Sequence, residues 1–152
     1  VAEQDFYDPL EPFDYIVQKL KDAQPTLGLE YVAENDEDLL PAYPAVLVQS
    51  GRTERLQHAT GLFLVTFNIV LWVFHADIGV GAAVRSRKDI QLATDIRKLL
   101  HADRTLGGHI IFGFVEDEFP GPTGRVTGNV TTNIVTTRLS WSGNNRVPYE
   151  AS

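Results

Sequence analysis

The 152 residues include no cysteine. That absence excludes disulfides, thiolate nucleophiles, cysteine-held zinc and iron–sulfur clusters together, and leaves the redox compartment unread. Basic residues are few, 13 against 20 acidic, for a formal net charge of -7. Gripping a phosphate backbone requires clustered Lys and Arg. Here they are scattered, so proteins rather than nucleic acids are the expected partners. A long hydrophobic run is also lacking: residues 61–74 are the most apolar stretch, but Thr66 and Asn68 interrupt it. It falls short of the roughly 20 residues that a membrane-spanning helix needs. No basic-then-apolar leader opens the sequence, so export by a signal peptide is not expected and assembly in the cytoplasm is the default. The four histidines, His58, His75, His101 and His109, form no H-x-x-x-H or H-E-x-x-H spacing, and no G-x-S-x-G elbow is present. Paired imidazole ligands on one helix face and an activated serine therefore have no local signature. Gly79 and Gly81 make a lone G-x-G without the third glycine or the strand-to-helix setting of a dinucleotide site.

What is present has the length and composition of one globular domain covering residues 1–152, with 43 % hydrophobic and 22 % charged residues. Residues 12–23 carry Phe13, Ile16, Val17 and Leu20 at helical spacing and Lys19 and Lys21 near the end, predicting a first amphipathic helix. Its start is expected at Glu11-Pro12, because proline fits a first helical position. Residues 34–38 read as an acidic, solvated loop. A short strand is expected over residues 44–49, ended by Ser50-Gly51. A longer one follows over residues 62–74, whose odd positions Phe63, Val65, Phe67, Ile69, Leu71 and Val73 form a core face.

Its even face carries Leu62, Leu64, Val70, Trp72 and Phe74 around Thr66 and Asn68, too apolar to stand wholly in water. Residues 88–102 place Leu92, Ala93, Ile96, Leu99 and Leu100 on one side of a second helix. Residues 109–115 are apolar on both faces and predict a central strand. Residues 117–128, with two prolines and three glycines, are expected to form an exposed loop or hairpin tip. A last strand is expected over residues 130–141, and residues 1–10 and 143–152 as extended or mobile ends. The order describes an α+β domain: a small mixed or antiparallel sheet with two helices packed on one face.

The aromatics Trp72, Phe112, Phe114 and Trp141 lack interleaved basic residues and are better explained as core or interface anchors than as base-stacking groups. Trp141 and Arg138 are three positions apart in a strand and so point to opposite faces, Trp141 toward packing and Arg138 toward a neighbour's carboxylate. Thr66, Asn68, Trp72, Arg138 and Trp141 are the candidate interface residues; no catalytic, cofactor-binding or metal-binding residue is expected. Both acidic runs, Asp36-Glu37-Asp38 and Glu116-Asp117-Glu118, are consecutive residues near loops, where water keeps carboxyl groups ordinary.

Residues 44–149 resemble the tail terminator (tail completion) proteins of siphophages, especially those infecting actinobacteria. The resemblance is carried by Tyr43-Pro44-Ala45-Val46, by Glu54-Arg55-Leu56-Gln57-His58-Ala59-Thr60 and by Leu71-Trp72-Val73-Phe74-His75. Leu106-Gly107-Gly108 and Thr137-Arg138-Leu139-Ser140-Trp141 complete it. It implies a structural virion protein at the tail neck, assembled in the host cytoplasm. It further implies a homohexameric ring that caps the tail tube, contacts the tube protein below and a head-completion or stopper protein above, and lets DNA pass through its lumen unbound. One ring face would match the tube end and the other would not, so further subunits find no edge to join. The rivals are another neck connector or minor tail protein, and a small oligomeric enzyme whose site would join His75 or His109 to Glu116 or Asp117. The charge balance gives a first prediction: the purified protein does not shift duplex DNA at moderate salt, and micromolar binding at physiological ionic strength would refute a passive lumen.

Overall fold

The computed structural model describes residues 6, 8–34, 42–59, 62–75, 82–127 and 130–148. Helix α1 spans Leu10–Asp22 and buries Pro12, Phe13, Ile16, Val17 and Leu20. It begins two residues earlier than expected, behind Pro9, with the Asp8 N–H donating to the Glu11 carboxylate at 3.0 Å. Pro12 is no obstacle inside the first turn, because the first four N–H groups of a helix have no intrahelical acceptor. A one-turn helix α2 (Gln24–Leu27) ends at Gly28 in the left-handed region, φ 72°. Then follow β1 (Tyr31–Glu34), β2 (Ala45–Ala59), β3 (Leu62–His75), α3 (Ala82–His101), β4 (Phe112–Thr127) and β5 (Val130–Pro148).

The strands form one sheet in the order β1-β2-β3-β5-β4, parallel between β1 and β2 and antiparallel elsewhere. The architecture is the expected α+β, with a mixed sheet and the two long helices on one side. The odd face of β3, with Val65, Phe67, Ile69, Leu71 and Val73 all buried, joins the apolar stripes of α1 and α3 in a single core. Leu92, Ala93, Ile96 and Leu100 are the buried apolar positions of α3 among the described residues.

Several boundaries differ from expectation for identifiable reasons. Ser50-Gly51 does not end β2; two residues, Gly51 and Arg52, oppose Asn68 alone, making a bulge through which the strand continues. A Cβ at Gly51 would lie 2.9 Å from the Asn68 carbonyl oxygen, so the bulge needs glycine. The segment expected to be central, β4, is an edge strand; residues 117–127 continue it, and of the two expectations for them the hairpin stands, as one arm of the β4–β5 hairpin, and the loop does not. Residues 143–148 are not a loose end but the last paired stretch of β5 along β3. Asn145 is buried there, its amide donating to the carbonyls of Phe6 (3.0 Å) and His109 (3.2 Å). Phe6 is itself buried and stacked on His109, so it is no mobile end. Strand β1 was not foreseen. Gly79, Gly81, residues 35–38 of the expected acidic loop and residues 149–152 lie outside the described residues.

The largest fully buried side chain, Trp141, lies on the helix side of β5. Gly113 and Gly143 are direct cross-strand partners. A Cβ on Gly113 would collide with Cζ2 of Trp141, and one on Gly143 with Cη2; either would also press Ile110 Cδ1, at 3.2 and 3.0 Å. The two glycines thus leave a slot across β4 and β5 in which the indole lies. Each of Gly113→Ala and Gly143→Ala is expected to cost about 1–3 kcal/mol by overpacking, read as a lower urea midpoint. Unchanged midpoints in both would show that the slot is not needed.

Candidate functional site

Alternation along β3 decides which side chains the helices cover and which they leave. Opposite the core face stand Leu64, Thr66, Asn68, Val70 and Trp72, all partly exposed, with Phe74 buried. Pairing in register adds Leu56, Glu54, Gln49 and Leu47 from β2. It adds Arg138, Ser140, Ser142 and Asn144 from β5, and Phe112, Phe114 and Phe119 from β4. At the β1–β2 side this face is closed by a small cluster of Ala33, Ala45, Leu47 and Phe74, against which Tyr31, Tyr43 and Trp72 pack. The middle is polar. At the β4 side Phe112 and Phe114 stand 5.6 Å apart, both more than a third exposed, and Phe119 is 64 % exposed.

Arg138 organises this aromatic border. Its guanidinium carbon lies 6.0 Å from the Trp72 ring centroid and 5.6 Å from that of Phe119, and a terminal nitrogen is 3.9 Å from the Asp117 carboxylate. Its Nε is buried without a hydrogen-bond acceptor in the chain. The Trp72 indole N–H donates to Gln49 Oε1 at 2.8 Å, which fixes the ring beneath the guanidinium. Arg104 stands in the same relation to Phe112, at 5.5 Å. A cation held over aromatic faces costs little water and retains donors for an incoming carboxylate.

Of the five residues named from sequence, Thr66, Asn68, Trp72 and Arg138 share this face. Trp141 does not: it is 1 % exposed, on the helix side, and belongs to the core. Asn68 is committed within the chain, its amide donating to the Arg52 carbonyl at 2.8 Å across the bulge. A lysine there would break the bulge as well as any contact beyond it. Phe119 was missed because Pro120, Gly121 and Pro122 made its surroundings read as loop, and because the register shift between Val115 and Asp117 breaks the alternation of Phe112 and Phe114, which alone would point to Glu118.

The residues of the rival enzymatic arrangement are not brought together. Asp117 pairs with Ser140, whereas His75 pairs with Val135, five residues away along β5, or roughly 17 Å. His109 is five residues the other way, beside Asn145. Glu116 and Asp117 are exposed. Among the described residues no group of three His, Cys, Asp or Glu is placed to hold a metal ion, and no helix is long and apolar enough to cross a membrane.

His101, at the end of α3, accepts the Val115 N–H on Nε2 at 2.9 Å. Burial, reinforced by the charges of Arg104 and Arg97 and partly offset by Glu118, lowers its pKa and keeps that nitrogen an acceptor. Asp103 ties the helices together: it accepts from Tyr15 (2.6 Å), Lys19 (3.2 Å) and the Gly107 N–H (2.8 Å). Burial acts to raise its pKa, but these three donors outweigh it and hold the carboxyl below the ordinary range. Tyr15 is correspondingly pushed up to about 12 by burial and by Asp103. No protein-family model matches the chain, and no curated protein matches it.

One ionisable group was invisible to the sequence reading. Asp89 of α3 is 1 % exposed, accepts the Thr137 hydroxyl at 2.7 Å on Oδ2, and has no partner on Oδ1. Burial pushes its pKa up to about 7, against the smaller lowering effect of Thr137. A carboxyl raised in the folded state stabilises fully below its unfolded pKa and loses that contribution as pH rises through the folded value. Relative to Asp89→Asn, which keeps an acceptor for Thr137, the natural chain is expected to lose on the order of a few kcal/mol between about pH 4 and 7. Parallel stability–pH curves for the two proteins would refute it.

Proposed function

We propose that the chain is a structural assembly subunit of the tail-terminator kind, closing the head-proximal end of a long-tailed phage's tail tube as a homohexameric ring at the virion neck. The observation that carries this reading is the asymmetry of the sheet. One face is sealed by α1 and α3, while the other leaves Phe119, Phe112, Phe114 and Leu56 in contact with solvent beside a half-exposed Arg138. An exposed apolar border around an arginine stacked on aromatic rings has the composition of a protein interface. The sequence resemblance supplies the identity of the assembly, and the scattered basic residues agree with DNA passing through without specific binding. Tube protein would meet one rim and a head-completion protein the other. Stopping the tube then requires only that one rim match its end.

Phe119→Glu tests this directly. It removes an exposed apolar anchor and offers Arg138 an internal partner, so the fold should keep its melting temperature within a few degrees. Ring formation, followed by electron microscopy of the purified protein, should be lost, with overgrown, headless tails in the phage. Rings and virion yield equal to the natural chain's would refute the assignment of this face to assembly.

A further inference from the structure

The β4–β5 hairpin is longer than the sheet that holds it. Strand β3 makes its last pair at His75↔Val135, yet β4 and β5 continue through Thr123↔Ile134, Gly124↔Asn133, Arg125↔Thr132, Val126↔Thr131 and Thr127↔Val130. Among the described residues no third strand flanks these five pairs. At about 3.4 Å per residue they form a ribbon projecting roughly 17 Å past the sheet. A two-stranded ribbon is marginal in water by itself and becomes stable when packed on something else.

Its charge points to what that is. Residues 123–134 contain one arginine and no acidic residue, a net charge of +1, so the rest of the -7 chain carries -8. A single arginine is too little to hold a phosphate backbone, but a nearly neutral, threonine-rich ribbon of slightly positive charge complements the acidic body of an identical chain.

Extending the ring proposed above, we infer that residues 123–127 and 130–134 form an assembly arm that lies on a second copy of this chain. The arm of one subunit reaching the body of the next is a head-to-tail contact, the kind that closes into a ring when the rotation per subunit allows. Edge-to-edge strand addition along β4 behind the arm is hindered. Pro120 and Pro122 have no N–H to offer an added strand. Further back, the N–H groups of Gly113 and Val115 are taken by the Arg104 carbonyl and His101.

Arg125 is the sole tryptic site in the arm, so limited trypsin digestion of the intact protein reads its state. Cleavage after Arg125 should be at least tenfold slower at concentrations where the chain is associated than where it is monomeric. A variant with residues 123–134 replaced by Asn-Gly should keep its unfolding midpoint and associate at least tenfold more weakly by sedimentation. Arg125→Glu, which leaves the backbone intact, should weaken association in the same direction, more so at low salt. Concentration-independent cleavage, or protection by duplex DNA in place of concentration, would overturn the arm. Rings formed by both variants as readily as by the natural chain would overturn it and leave the ring standing. A full-length chain that stays monomeric at high concentration would overturn both.

Discussion

The indole of Trp141 across the Gly113–Gly143 pair decides how the rest of the sheet is laid out. The slot exists in one register only, since sliding β4 against β5 by one residue would put Phe112 or Phe114 where Gly113 stands and turn every side chain of the strand over. Fixing that register also fixes the parity of β5. Leu139 and Trp141 go to the core, and Arg138 and Ser140 to the opposite side. Ile110 lies against the slot from the loop after α3, a loop pinned by the left-handed run Leu106, Gly107 and Gly108 and by Asp103. The same carboxylate reaches Tyr15 and Lys19 of α1, so the two long helices and the glycine slot are mechanically one unit.

A sheet with an uncovered face must still manage its edges, and here part of each is treated. On one side β1 is four residues long, too short to template much. On the other, α3 and the loop behind it shield the start of β4, with His101 and the Arg104 carbonyl taking outward N–H groups and Arg97 reaching Glu118. Open-ended strand addition, which makes fibres, is thereby hindered along those stretches.

Patterns of period were legible in the sequence; exceptions to local rules were not. The helical stripe of Phe13, Ile16, Val17 and Leu20 and the odd positions of β3 gave the core, and the spacing of Arg138 and Trp141 gave their opposite faces. Proline and glycine misled. Ser50-Gly51 and the stretch after Phe119 read as breaks because neither bulges nor edge strands, the two places that tolerate such residues, can be known before pairing is known. Residues Phe112 and Phe114 made β4 seem buried on both sides, when the intervening Gly113 serves Trp141 and the two rings face out. Asn144 and Asn145 suggested a polar exit; Asn145 is instead buried because the carbonyls of Phe6 and His109 converge on it, a contact spanning 139 residues of sequence in one case.

Strand parity has a consequence for how this protein can change. Within β5, the residues that hold the fold together, Thr137 at Asp89, Leu139 and Trp141, alternate with those that face outward, Arg138 and Ser140. A substitution at an odd position there enters a close-packed core and is felt as lost stability. At a neighbouring even position it leaves the core untouched and alters only what the face can bind. The border around Arg138, Trp72 and Phe119 can therefore be reshaped to fit a different partner without disturbing the glycine slot, whose Trp141 is three residues along from Arg138. Asn68 is the exception on that face. Because its amide holds the β2 bulge at Arg52, its side chain answers to the fold even though it points away from the core.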